Sequence, residues 1–526
     1  KKICFARKFP LPGSLGFRYS VGMKTFRPYT PDQLLLLPPA LQDWLPEDHL
    51  AVFLSEMVDH ALDLSPILAT YETGDGRGQP PYHPVLMVKL LLYASCTGKP
   101  SSRKIEQATY DEVPYRFLAA NQHPDHDTLA AFRQEHLQAL AGLFVQVLLI
   151  CQRAGLVKLG HVALDGSKVL ANAATHKAMR DGRMAEAEQK LQAEIATLLA
   201  QAQAVDAAED AQYGKGTRGN ELPAELARRE GRLAKIQAAK ANLEAEAQAQ
   251  AAEVTAAAKA KVAERERQAQ ETGRKPTGPA PQIPDPAQAK PTPKAQRNFT
   301  DPESRIMKDG ATKSFVQADT AQAAVDSTAQ IIGAADVTQD ANDKRQLVPM
   351  MAQLQTNLGT APAVASADSG SGSEAALTDP ALAEIDLHVA PDRQPHGDAA
   401  RAEAGPPPAA GDGTAVDAMR RKLQAGAGAA VYALRKAIVE PVFGQSTAGP
   451  QAFRRFSFRG LAPVRAEWLV VCCTHNLLKL FRAGWRPARR AGEHTGSCAR
   501  SQFSERTLRD YRWPFVGSPI FSHPLA

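Results

Sequence analysis

Apolar residues in the first third of the chain recur at helical spacing, and that spacing gives way near residue 157. From about Leu34 to Val157 the pattern predicts helices. The block Val85–Ala94 is apolar almost all round, as a buried helix requires, and Pro84 stands near its first turn, where a missing N–H costs little. After Gly98-Lys99-Pro100, the run S101-S-R-K-I-E106 predicts a serine-capped start with a glutamate behind it. Asp127 or Thr128 is placed to cap a third, long helix from Leu129 through Cys151, closing near Gly155. Short helices with tight turns and scattered Arg and Lys suit a helix-turn-helix-like DNA-binding module, and equally a plain helical packing domain. The crowded His123, Asp125, His126 and Asp127 read as turn and cap residues ahead of a helix rather than as a metal site.

The period then shortens to two. Alternation of apolar and polar residues over Leu156–Ala171 predicts a strand with Asp165 at its middle and Gly166 behind it. A carboxylate in a buried strand is costly unless paired or bound to a cation, although Asp-Gly is also a common turn. Ser314–Val325 and Gln330–Thr338 read as paired strands joined by Asp326–Ala329. Asp343–Leu354 reads as a helix despite Pro349, stopped by Gly359, and Ala361–Asp368 as a short strand ending on a second aspartate. That order predicts a mixed α/β sheet flanked by helices, with Asp368 at the strand end where α/β sites gather. Residues 369–418, rich in Ser, Gly, Pro and Ala, predict irregular structure.

Two heptad-like series interrupt this order. Met184, Leu191, Ile195, Leu198 and Val205 form one seam; Leu226, Leu233, Ile236 and Leu243 form another, after a polar break from Asp206 to Asn220. They predict an inserted antiparallel coiled-coil hairpin, with Ala-rich helix continuing to about Gln270 and a proline-rich linker over Pro276–Pro293.

Near the end of the chain, Val431–Gln445 places Tyr432 and Arg435 on one helical face and pairs Lys436 with Glu440. Pro441 disfavours helical geometry in the residue before it, so Glu440 is expected at or near a helix end or kink. Most helical glutamates are solvated surface residues; this one gains weight from the two aspartates upstream. Phe453–Leu461 then interleaves aromatics with Arg454, Arg455 and Arg459. Val464–Leu480 predicts an amphipathic-to-buried helix, followed by a basic strip of Arg482, Arg486, Arg489 and Arg490.

Composition adds a formal net charge of +6 and a pI near 8.9, which suits a nucleic-acid partner without requiring one. The six cysteines show no C-x-x-C spacing and fit a reducing cytoplasm, with Cys472-Cys473 as buried free thiols. No run of eighteen apolar residues indicates a membrane span. Residues 1–22 lack periodicity and the features of a signal peptide, and are expected to be upstream sequence read through, with a start at Met23.

The stretches Y82-H-P-V-L-M-V-K-L, V162-A-L-D-G-S-K, N298-F-T-D-P-E-S-R-I-M-K, A335-D-V-T, S366-A-D-S-G and Y432-A-L-R-K-A-I-V-E-P-V-F-G are specific in combination. Together, over roughly Phe26 to Trp485, they resemble a DDE-type transposase of the bacterial insertion sequences. The resemblance implies a ribonuclease H-like mixed sheet with flanking helices, behind an all-α N-terminal domain. It implies Asp165, Asp368 and Glu440 as catalytic carboxylates holding two Mg²⁺ (or Mn²⁺) ions, Asp165 bridging the two. It implies that Tyr432 and Arg435 contact the substrate phosphates or order the site, and the interleaved Arg454, Arg455 and Arg459 join them as DNA-binding candidates. The implied partners are the element's terminal inverted repeats and target DNA, bound by a homo-oligomer in the bacterial cytoplasm, at the nucleoid.

The expected organisation is read-through at 1–22, a DNA-binding helical domain at 23–157 and the first part of the core at 158–178. The coiled-coil insertion and linker follow at 179–297, the rest of the core at 298–485 and an unassigned basic tail at 486–526. Two departures stand out: Ser371-Gly372 where the family carries an aromatic pair, and Thr447 where it carries a lysine seven residues beyond the glutamate. They keep open a DNA-binding remnant without activity; a coiled-coil scaffold protein is the third reading.

Overall fold

The computed structural model describes residues 40–72, 80–174, 177–213, 224–272, 283–292, 295–308, 313–340, 343–391, 414–424 and 426–487. The expected read-through segment and the tail with Arg489 and Arg490 lie outside these residues. So do parts of the polar break, of the proline-rich linker and of 369–418.

The first helices are α1 (Leu50–His60), α2 (Ser65–Glu72), α3 (Pro84–Cys96), α4 (Ser102–Asp111), α5 (Val113–Leu118), α6 (His126–Glu135) and α7 (Leu137–Arg153). α3 is buried over most of its surface, as its continuous apolar run dictates, and His83 rather than a hydroxyl residue caps it by accepting from Val85 N. Ser101 occupies the N-cap position of α4 but makes no side-chain cap bond; Glu106 instead accepts from His126 N and contacts its Nδ1 at 2.7 Å. The expected long helix over 129–151 is two helices, bent by 68° at His136. Buried His136 packs against Phe132 and meets the Tyr71 hydroxyl at 3.3 Å, so the side chain that marks the break is held from two directions. The cap of α6 is Asp125, which accepts from both Thr128 N and Oγ1, rather than Asp127 or Thr128.

The remaining elements are β1 (His161–Leu170), β2 (Ala178–Arg180), α8 (Asp181–Tyr213), α9 (Ala224–Thr272), β3 (Gln296–Asn298), β4 (Arg305–Lys308), β5 (Phe315–Asp326) and β6 (Ile332–Thr338). They continue with α10 (Leu347–Leu358), β7 (Val364–Ala367), α11 (Glu374–Leu377), β8 (Asp386–Val389), α12 (Ala415–Gln424), α13 (Gly426–Thr447) and α14 (Leu461–Arg482). The result is a mixed α/β protein. Its main sheet runs β5-β1-β7-β8, with β4 and β6 both paired to the far edge of β5. β5 is antiparallel to its neighbours, whereas β1, β7 and β8 are parallel. β8 corrects the expectation of irregular structure over 369–418: four residues are too few to display alternation, and pairing with β7 makes the strand.

α14 covers the sheet through specific polar contacts as well as apolar ones. Trp468 Nε1 donates to Gln322 O at 2.9 Å. Where the β5–β6 register slips between Ala324 and Val325, buried Asn476 takes both Ile332 N and Ile332 O at 2.9 Å, satisfying groups the ladder leaves open. Cys96, Cys151, Cys472 and Cys473 are buried and, among the described residues, unpaired. No single helix among the described residues is long and apolar enough to cross a membrane.

The insertion leaves and returns through the two-stranded ribbon β2–β3. α8 and α9 run antiparallel, as the pairs Glu188–Lys240 (2.6 Å) and Glu194–Arg229 (3.1 Å) require, and bury Met184 and Leu191 against Ile236, Ala239 and Leu243. α8 runs through the first part of the expected polar break, to Tyr213. Glu246 of α9 binds Arg297 of β3 and Arg305 of β4, fastening the insertion to the edge of the sheet.

α13 is the second correction. It passes through Pro441 rather than ending beside it. Proline has no N–H to offer the carbonyl four residues earlier, and that carbonyl, Ala437 O, accepts from Gln330 Nε2 at 3.0 Å instead. Gln330 sits at φ +58°, and Lys479 and His475 of α14 hold its side chain and carbonyl. A contact from over a hundred residues away thus replaces the lost helical bond.

Acidic side chains close the N-terminus of α14: Asp301 accepts from Gly460 N and Glu303 from Leu461 N. Asp319 lies beside them, 2% exposed, with its Oδ2 unpartnered among the described residues. Burial, then Asp301, push its carboxyl up to about 7 against the pull of Arg305, with Glu303 adding to the rise. A raised carboxyl favours the folded state while protonated, so this contribution is present in acid and disappears as pH rises from about 4 through about 7. Asp319→Asn, which keeps the shape but cannot ionise, is expected to melt several degrees above wild type at pH 8 and close to it at pH 5. Scanning calorimetry at the two pH values checks this; an equal offset at both rules it out.

Candidate active site

The site is built where β1 and β7 lie side by side. Their parallel register matches Leu164 with Ala367, so Asp165, still within β1, and Asp368, the first residue beyond β7, come to the same level of the sheet. β1 and β5 continue past this point as a ribbon, which is why Asp165 sits in the middle of a strand and Asp368 at the end of one.

Asp165 is mostly buried, and its Oδ2 meets Arg435 Nη1 of α13 at 3.0 Å, while Gly166 N donates to Oδ1. Burial drives the carboxyl up to about 6; Arg435 pulls it down without cancelling that rise, and the neighbouring Asp368 adds to it. Arg435, itself 8% exposed, lies over the Tyr432 ring at 5.8 Å. Burial foremost also raises the Tyr432 hydroxyl, opposed by Arg435, with Asp368 and Asp165 adding to the rise. Asp368 accepts from Gly370 N at 3.0 Å, which fixes its carboxylate in the turn that leaves β7.

Asp165, Asp368, Tyr432 and Arg435 therefore share one neighbourhood. Glu440 stands five residues further along α13 than Arg435. It lies on the exposed side of α13, and among the described residues it makes no ion pair or hydrogen bond. Arg454, Arg455 and Arg459 are exposed, alternating with buried Phe453 and Phe456, which stack edge to face. This segment runs beside the far end of β1: Leu170 N donates to Arg454 O, Phe456 N to Leu170 O, and Arg459 Nε to Asn172 O. The three guanidinium groups thus stand along the rim beyond Asp165.

Sequence reasoning overlooked two side chains here. Asp343, read only as the start of a helix, lies in the turn after β6 and accepts from Gln322 Nε2. Its carboxyl is raised by burial first, lowered by Gln322, and raised again by Asp368. Gln322 faces Gly166 across the β1–β5 ladder, and its amide fills the space a side chain there would need: a Cβ on Gly166 would lie 2.5 Å from Gln322 Nε2 and 2.8 Å from Asp343 Oδ1. The one clue in the sequence was a second acid in a loop leaving a strand of the same sheet.

Among the described residues no three His, Cys, Asp or Glu side chains converge tightly enough to enclose a metal ion. The donor chemistry nevertheless suits a hard divalent cation. Asp165 and Asp368 are neighbouring oxygen donors with one guanidinium against the first, and Mg²⁺ is commonly held by one or two carboxylates with water and substrate phosphate supplying the rest.

No curated protein and no solved structure matches the chain. Two family models do. Residues 39–135, from the first helical turn through α6, match the transposase domain DUF772, and residues 413–481, which carry Tyr432, Arg435 and Glu440, match a transposase DDE domain. One match lies on the N-terminal helices and the other on the helices that cover the aspartates, and together they support an insertion-sequence transposase of the DDE type.

Proposed function

We propose that this transposase binds the terminal inverted repeats of its element and carries out metal-dependent DNA strand cleavage and strand transfer at a site built on Asp165, Asp368 and Glu440. The observation that carries the reading is the meeting of Asp165 and Asp368, from distant parts of the sequence, at one level of adjacent parallel strands beneath Arg435. Strand order supports a ribonuclease H-like core: an antiparallel β5 between β6 and β1, followed by parallel β7 and β8. In this reading residues 23–157 are the DNA-binding domain, and 158–178 with 298–485 are the core. Residues 179–297 are a coiled-coil hairpin and linker that serves dimerisation or DNA contact.

Asp165 and Asp368 would hold Mg²⁺ or Mn²⁺, with Glu440 as the expected third acid. When bound, divalent ions activate a water or a DNA 3′-hydroxyl and offset charge on the leaving oxygen at a backbone phosphate. The chain's own contributions follow from its geometry. Strand pairing fixes the spacing of the two aspartates, and Arg435 keeps Asp165 from being an isolated buried charge. Arg454, Arg455 and Arg459 offer charge-assisted hydrogen bonds to successive phosphates along the rim. The exposed position of Glu440 and the presence of Thr447 favour a second reading, in which the protein binds DNA without cutting it.

Three measurements test these statements. Purified protein with Mg²⁺ or Mn²⁺ is expected to cut DNA carrying the repeat, and Asp165→Asn to bind that DNA but cut none of it; equal cutting, or equal failure, by both proteins removes the enzyme reading. Replacing Arg454 and Arg455 by Ala is expected to reduce the slope of log K against log salt by about 2, one unit for each lost phosphate contact; an unchanged slope removes them from the DNA surface. Arg435→Ala leaves the Asp165 carboxylate buried and unpaired, a change that costs ~3 kcal/mol when the charge cannot escape. Asp165 escapes by taking a proton, so the loss is expected to be large at pH 8 and small at pH 5, as read by thermal melting. An equal loss at both pH values would mean that packing, not charge, is what Arg435 supplies.

A further inference from the structure

Beyond Asp165, Asp368 has a second acidic neighbour. Asp343 reaches it from the turn between β6 and α10, and the two carboxylates flank Gly370: a Cβ placed there would lie 3.0 Å from Asp368 Oδ1 and 3.3 Å from Asp343 Oδ2. The two carboxylate oxygens therefore bracket a gap that a methyl group would fill too tightly. Gln322 donates its Nε2 to Asp343 Oδ1, which leaves Oδ2 for the space at Gly370. Gln322 is fully buried, yet the Oε1 of the amide that holds Asp343 has no partner among the described residues. Glycine at 370 is not required by backbone conformation, because its φ lies outside the left-handed range; what it preserves is the opening.

We propose that Asp343 is a further carboxylate of the active site, sharing a divalent cation with Asp368 across Gly370 and held in place by Gln322. Two like charges facing an opening of this size repel unless a cation lies between them, and oxygen donors of this kind select Mg²⁺ or Mn²⁺ over softer metals. Asp368 becomes the central acid, with Asp165 on one side and Asp343 on the other. The inference rests on the metal-dependent reading proposed above.

The test is binding of Mn²⁺ alone to the full chain, followed by the loss of the free-ion signal in electron paramagnetic resonance, with melting curves in metal-free buffer to confirm folding. Asp343→Asn is expected to weaken Mn²⁺ binding about tenfold, the scale of a lost ligand or its support, and Asp343→Glu to recover part of it. Gly370→Ala, which places a methyl group in the opening while keeping every carboxylate, is expected to weaken binding to a similar degree. If Asp165→Asn and Asp368→Asn lose Mn²⁺ while Asp343→Asn and Gly370→Ala bind it as wild type does, Asp343 is not a member of the site and the two-aspartate reading stands. If Asp165→Asn and Asp368→Asn also bind as wild type, the metal-dependent reading falls and this inference with it.

Discussion

A carboxylate in the middle of a buried strand sets the terms for the rest of this molecule. Asp165 cannot sit in β1 as a bare anion; burial raises its carboxyl to about 6 even with Arg435 beside it. The guanidinium must arrive from outside the sheet, so α13 has to lie across β1 with Arg435 turned inward. α13 in turn has to keep its course through Pro441, and Gln330 makes that possible by meeting the carbonyl that proline leaves open. Gln330 is held by Lys479 and His475 of α14, which itself clasps β5 and β6 through Trp468 and Asn476. The charge in the strand, the helix above it and the hairpin turn at its edge form one connected arrangement.

Much of this was legible in the sequence, and what was not has identifiable causes. Alternation located β1, and β5, β6 and β7 were legible as short strand-like runs set between turns. β8 was not visible, since Asp386–Val389 becomes a strand only through its neighbour. The continuation of α13 through Pro441 was not visible either, because the compensating donor lies on a distant turn; local rules correctly predict a break there, and a tertiary hydrogen bond overrides them. His136 divides a helical pattern that has no proline or glycine at that point. Asp165 and Asp368 stood out through their strand contexts. Asp343 did not, because an acid at a helix start looks like a cap until Gln322 and Gly370 are placed around it.

The two transposase matches fall on helices, one set in the N-terminal region and one covering the sheet, while the strands that carry Asp165 and Asp368 lie between them. Those strands are stiffened by backbone pairing on both sides, so the separation of the two aspartates is a property of the ladder rather than of any loop. Glu440 and the arginines of 454–459 are placed differently, on a helix surface and on an extended rim open to solvent. Rigid acids in the sheet and exposed cations at its margin suit a polyanionic substrate that must be gripped broadly but positioned at one point.

The ribbon β2–β3 has a consequence for how such a chain can vary. Residues 181–295 depart from one strand of that ribbon and return to the other, so the sheet meets both ends of the excursion at neighbouring points. Extending a closed loop is cheap once its ends are joined, about 0.6 kcal/mol for each doubling of length. Helical turns can therefore be gained or lost from α8 and α9 together without altering the distance between Asp165 and Asp368. The part of the chain freest to change in size is inserted between the two residues whose separation can least afford to change.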